Sequence, residues 1–135
     1  MNVNTYLIAS LFLTVSCNNK RSLNIEESYI VKEIVTPCKE GGEPNLFLDN
    51  NNLLYLSWIE YLNDTTEALQ YAIMNSDSWG ESNIISKGTD WFVNWADFPS
   101  MVVFNNNSLA AHWLQKSDDG IYNYDIKISL SNDGG

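Results

Sequence analysis

The sequence predicts an all-β, antiparallel protein, on three observations. Short runs rich in aromatic and β-branched residues alternate apolar and polar at period two, separated by Asn, Asp, Ser and Gly clusters. No stretch sustains helical periodicity for more than about three turns. A segment with one order of strands and turns recurs 55 residues downstream.

The chain opens with a segment that stands apart from this pattern. Residues 6–15, YLIASLFLTV, form an apolar run too short to span a bilayer but suited to a signal-peptide core. Ser16 and Cys17 follow, and then the polar NNKRS. A small residue before a cysteine, after an apolar stretch, resembles the lipobox of bacterial lipoproteins. That resemblance implies an acylated Cys17 and a lipid-anchored protein of the bacterial cell envelope, on the outer membrane or its periplasmic face. The alternative is an ordinary cleaved signal with an incidental cysteine, giving a secreted protein. Residues 1–16 thus read as signal peptide, 17–28 as a polar tether and 29–135 as the folded body. With Cys17 lipidated, Cys38 stands alone and no disulfide framework exists. No Cys/His cluster suggests a metal, and no cofactor is expected.

In the body, residues 29–37 (YIVKEIVTP) read as a first strand. NLFL, LLYLSWIEY, LQYAIM, SMVVF, SLAAHWLQ and YDIKISLS read as six more. Apolar residues make up 44% of the 135, and aromatics 13%, enough for a packed core. The formal charge of −10, from 17 acidic against 7 basic residues, disfavours nucleic acid and anionic lipid as partners. Membrane contact is therefore expected only through the N-terminal lipid, and the protein is expected to be a monomer.

The repeat aligns Pro44 with Pro99. PNLFLDNNNLLYLSWIEY lies over PSMVVFNNNSLAAHWLQK, so a triple-Asn turn and a tryptophan (Trp58 over Trp113) recur without a gap. Asparagine suits such turns because it tolerates positive φ. At the same offset residues 69–74 cover residues 124–129 as a third strand. A repeat of this length with three or four antiparallel strands has the dimensions of a β-propeller blade.

The closing SNDGG matches Ser-x-Asp-x-Gly, the first part of the Asp-box, with Ser131, Asp133 and Gly135. In the first copy SDSWG (residues 76–80) stands at the equivalent place. On these motifs the chain resembles the sialidase-like (BNR/Asp-box repeat) β-propellers. The resemblance implies an incomplete propeller of about two four-stranded antiparallel blades from a six-bladed fold, hence an N-terminal fragment. It also implies a glycan or glycoconjugate partner and an exo-sialidase-like glycoside hydrolase activity. Non-catalytic glycan binding and protein interaction are the alternatives.

Sialidases clamp the substrate carboxylate with arginines. The stretch matching the first of these, GGEPNLF, has Glu43 and no arginine, and Arg21 is the sole arginine of the chain. Lysine replaces a bidentate guanidinium poorly. Residues preceding each innermost strand would face the channel mouth, which selects GGEP and DWFVNWADFP. Glu43 and Asp97 are accordingly the candidate catalytic carboxylates. Trp91, Trp95 and His112 are the candidate ligand contacts, because indole rings stack on sugar C–H faces while polar groups bond hydroxyls. Packing between blades is the competing role for the aromatics.

Overall fold

The computed structural model describes residues 30–104 and 108–135. Cys17, the leader, the tether, Tyr29 and the second triple-Asn turn lie outside the described residues. Eight strands, and no helix, occur among those described: β1 (Gly41–Leu48), β2 (Leu54–Asn63), β3 (Thr66–Asn75), β4 (Ser78–Trp79), β5 (Asn83–Gly88), β6 (Ser100–Val103), β7 (Leu109–Lys116) and β8 (Tyr124–Ser131).

The strands form two antiparallel sheets. Sheet 1 runs β1-β2-β3, and the far edge of β3 is shared by β4 at one end and β5 at the other. Sheet 2 runs β6-β7-β8. Among the described residues no closed sheet forms, and each sheet is a meander of sequential neighbours.

The internal repeat is visible in the hydrogen-bond register. Leu46 faces Leu56 and Leu48 faces Leu54 in sheet 1; Met101 faces Ala111 and Val103 faces Leu109 in sheet 2, each pair 55 residues on. The loop-closing bond recurs too, from Asp49 N to Leu53 O (3.0 Å) and from Phe104 N to Ser108 O (2.8 Å). In the first turn Asn52 takes φ 62°, the conformation expected of its residue type. The aspartate before the asparagines does as much as they do. Asp49 Oδ1 accepts from the N–H groups of Asn51 and Leu53, both at 2.8 Å, and so satisfies the turn's donors.

Three sequence expectations need correction. Residues 30–40 form no strand, because alternation creates a face but no neighbouring strand supplies hydrogen bonds. Within this stretch Lys32 pairs with Asp77 at 2.9 Å, and the N–H groups of Lys39 and Glu40 reach Glu60. Second, the third strands correspond at 57 residues and not 55. Ile73 faces Tyr55, whereas Leu130 faces Ala110. The β7–β8 connection is longer than the tight β2–β3 turn, and the even slip preserves which face each side chain occupies. Asp133 therefore matches Ser76. Third, the expected strands include none between residues 74 and 100, yet β5 lies there: adjacent Ile84 and Ile85 break the period-two pattern, and a bulge opposite Leu69 and Gln70 accommodates them.

One face of sheet 1 packs on one face of sheet 2. Tyr55, Ile59, Leu69 and Tyr71 meet Met101, Val103, Leu109 and Ala111, with Trp91 inserted from the β5–β6 connection. Trp91 stacks on Trp113 with centroids 5.4 Å apart and planes at 23°. The opposite face of sheet 1 holds a second cluster of Leu56, Trp58 and Ala72, against which Cys38 and Trp79 pack. Strand β2 is thus buried on both faces from Tyr55 to Glu60.

Leu69 is fully buried between the sheets, so Leu69→Ala should cost about 2–5 kcal/mol of unfolding free energy. The exposed Ile128→Ala should stay within about 0.5 kcal/mol of the parent. Urea titration followed by tryptophan fluorescence measures both.

Candidate functional site

Antiparallel meanders sort their connections into two ends. One end gathers the start of β1, the β2–β3 turn, the β5–β6 connection and the β7–β8 connection, as the pairings Gly41↔Glu60, Asn63↔Thr66, Glu67↔Gly88 and Lys116↔Tyr124 require. The other end holds the turns at Asp49 and Phe104 and the turns that follow β3 and β8. Glu43, Trp91, Trp95 and Asp97 all fall at the first end.

The start of β1 is shaped by close backbone approach. At Gly41 any Cβ would run into the Ile59 carbonyl. A register shift follows between Gly42 and Asn45, and Glu43 sits within it at φ 52°. This bulge turns the Glu43 side chain toward Tyr61, whose hydroxyl donates to Oε2 at 3.4 Å. Burial raises the Tyr61 pKa, and the Glu43 charge and hydrogen bond raise it further, so the phenol stays protonated.

Across the β2–β3 pair from Tyr61 lies Glu67. Its Oε2 is buried without a hydrogen-bond partner. Burial pushes this carboxyl above its ordinary value. Its own backbone N–H opposes that, Asp90 adds to it, and Lys116 partly offsets it. Asp90 takes φ 61°, receives a hydrogen bond from Thr89 Oγ1 at 3.1 Å, and accepts Lys116 N on its carbonyl at 2.8 Å. Glu43, Tyr61, Glu67 and Asp90 thus form an acidic cluster at one end of the sheets.

The β5–β6 connection divides its aromatics between two roles. Trp91 is buried and stacked on Trp113, so it serves packing and offers no open ring face. Phe92 stacks on Tyr124 at 4.4 Å. Trp95, by contrast, is 83% exposed. Its loop is fixed by Asn94, whose Oδ1 accepts from the N–H groups of Ala96 (2.7 Å) and Asp97 (3.0 Å) and whose Nδ2 donates to Asp97 Oδ2 at 2.9 Å. Asp97 is therefore a turn residue with an exposed carboxylate, engaged separately from Glu43. On the β7–β8 connection Tyr122 is also exposed.

His112 pairs with Ser100 at the start of β6, on the outer face of sheet 2, where Nδ1 is 3.2 Å from Ser100 Oγ. Ser131, Asp133 and Gly135 occupy the opposite end and build a turn. Ser131 Oγ donates to Asp133 Oδ1 (2.6 Å) and accepts from Gly135 N (2.9 Å). The Ser131 hydroxyl, aided by the Gly135 N–H, holds the Asp133 carboxyl below its usual range. Gly134 and Gly135 have φ of 99° and 116°, and the Gly134 carbonyl accepts from Tyr71 Oη at 3.1 Å. That bond ties the turn to sheet 1.

Sequence reasoning missed Glu60. Its carboxylate is buried and accepts from Trp58 Nε1 (2.7 Å), Lys39 N (3.1 Å) and Glu40 N (3.2 Å). Burial pushes its pKa up, but these donors and the Cys38 thiol outweigh it and leave a lowered value. In return burial, the Glu60 charge and the shared hydrogen bond push the Cys38 thiol up to about 11. Cys38 is therefore a protonated donor at neutral pH, unsuited to nucleophilic attack. The signal available in the sequence was a single acid inside LYLSWIEYL.

No group of three or more His, Cys, Asp or Glu side chains able to hold a metal ion occurs among the described residues. No protein-family model, curated protein or solved structure matches this chain.

Glu60 titrates below its ordinary value of 4.5 in the folded state, so its stabilisation is complete above that pH and is lost as pH falls through the folded value. Glu60→Gln should lower stability by about 1–3 kcal/mol at pH 7. It should also flatten the acid limb of stability against pH, read by urea unfolding between pH 7 and pH 3.

Proposed function

We propose that this chain is part of an exported, Cys17-anchored β-propeller that binds glycans through the end carrying Trp95. The two sheets are then successive blades, each built on the Pro–strand–turn–strand–Trp repeat. One observation carries the reading: an 83% exposed indole on a loop locked by the Asn94–Asp97 hydrogen bonds. Such a ring offers an apolar face on an already ordered loop, so a sugar that stacks on it need not order the loop. Exposed carboxylates beside it accept hydroxyl hydrogen bonds. The end carries Glu43, Glu67, Asp90 and Asp97, and residues 30–135 contain no arginine. Neutral or basic sugars therefore suit it better than sialic or uronic acids.

A glycoside hydrolase activity is the second reading, and the Glu67–Asp90 neighbourhood favours it. Burial, and after it the Asp90 charge, raises the Glu67 pKa. A carboxyl whose neutral form is favoured, next to a second acidic side chain, suits the general-acid role.

Trp95→Ala should weaken binding to neutral oligosaccharides at least tenfold in calorimetric titration, with far-UV circular dichroism unchanged because the ring is exposed. Unchanged affinity, or no binding by the parent, would refute the binding reading. For the hydrolase reading, Glu67→Gln should abolish release of the aglycone from aryl glycosides while leaving sugar affinity intact. Retained turnover in that variant would exclude Glu67 as the acid.

A further inference from the structure

The face of sheet 1 turned away from sheet 2 is not filled uniformly. Where residues 37–40 lead into β1, it opens into a hollow of about 430 Å³ between Pro37, Lys39, Glu40, Glu60, Leu62 and Gln70. A volume of this size falls in the range of small-molecule sites. Charged and polar side chains dominate it, in contrast to the apolar groove beside Trp79.

Gln70 is the part of this hollow that packing does not explain. It lies in the middle of β3, opposite Trp58 and on the same face as Leu56 and Ala72. Only 9% of it is exposed, yet its side-chain amide makes no hydrogen bond to any described residue. Buried strand positions ordinarily carry apolar side chains, because an unpaired amide forfeits its bonds to water. The register that sets Gln70 opposite Trp58 sets Lys127 opposite Trp113 in sheet 2, where Lys127 forms an ion pair with Asp125 at 3.3 Å. The repeat therefore has no recurring need for an amide at this place.

Neighbouring groups decide what such an amide can hold. The Glu60 carboxylate also lines the hollow, but Trp58 Nε1 and the N–H groups of Lys39 and Glu40 already occupy its oxygens. Glu60 therefore acts on a ligand by charge. Together with Glu40 it opposes the one cationic side chain lining the hollow, Lys39, so an anionic ligand is disfavoured. The Gln70 amide sets a carbonyl acceptor beside N–H donors. A neutral ligand that meets both must carry a donor and an acceptor on adjacent atoms, as the vicinal hydroxyls of a sugar do. Pro37 and Leu62 add apolar surface for the C–H faces of the ring.

We propose that this hollow is a binding site for one neutral monosaccharide unit, whose vicinal hydroxyls bond the Gln70 amide. The site shares a ligand class with the end that carries Trp95 but none of its residues, so each stands without the other. An amide left unbonded by the fold is thereby satisfied on binding, which makes Gln70 a residue kept for its ligand at the expense of stability.

The test uses the full chain in a polyoxyethylene detergent, which carries no sugar, titrated with glucose, mannose and galactose by saturation-transfer NMR and calorimetry. At least one of these hexoses should bind the parent, and the corresponding uronic acid should bind more weakly. Gln70→Met keeps the length and volume of the side chain. It should weaken hexose binding by about tenfold or more while the urea midpoint stays level or rises, because an unpaired buried amide is removed. Trp95→Ala should leave this binding unchanged. A parent that binds no hexose would overturn the proposal, as would unchanged affinity in Gln70→Met. A lower urea midpoint in Gln70→Met would also overturn it, by showing that the amide serves the fold. Hexose binding lost in Trp95→Ala but kept in Gln70→Met would overturn this site alone and leave the reading at Trp95 standing.

Discussion

Strand β2 must be covered on both of its faces, and the rest of the architecture follows from that. From Tyr55 to Glu60 every side chain is buried, so alternation cannot send one set to water. One face is closed by sheet 2 and the other by residues of the segment before β1 together with Trp79. A strand of this kind accepts an ionisable residue only with full hydrogen bonding. Glu60 meets that demand by taking donors from Trp58, Lys39 and Glu40, and it thereby fixes the chain's entry into β1. The buried anion is a structural clasp, and it leaves Cys38 protonated as a consequence.

The two repeats keep one backbone plan and solve it with different chemistry. Trp58 and Trp113 hold equivalent positions, yet only Trp58 has an acid two residues on. Gln115 replaces that acid in the second copy, and Trp113 Nε1 has no hydrogen-bond partner. Trp91 compensates by stacking on the Trp113 ring, so dispersion and burial do there what an indole–carboxylate bond does in sheet 1. Backbone register tolerates this exchange because strand pairing depends on main-chain groups, while the side chains need only fill equal volumes.

The same topology separates construction from recognition. Tight turns at one end, including the Ser131–Asp133–Gly135 turn, spend their polar groups on backbone donors. Connections at the other end carry exposed aromatics and carboxylates that the fold leaves available. Strained φ values at Glu43 and Asp90 fall within this second end. Both belong to bends that aim acidic side chains at their neighbours, and such strain persists only where surrounding packing over-determines it.

Taken alone, the sequence determined the all-β class, six of the strands, the repeat in the first two strands of each copy, and the positive φ at an asparagine turn. Each of these depends on local periodicity or on a residue's own backbone preference, which act over a few residues. Tertiary structure decided the rest. Residues 30–37 alternate like a strand but lack a partner, and the bulged β5 has a partner without alternating. The third strand slipped by two residues because connection length, and not side-chain pattern, sets where a hairpin returns. Trp91 and Trp95 are alike in sequence context, but only the stacking of one on Trp113 separates a core residue from an exposed ring. Glu60 and Glu67 both read as ordinary strand acids. Which of them would be clasped, and which left with an unpaired buried oxygen, was set by distant backbone N–H groups and by charges that only folding brings near.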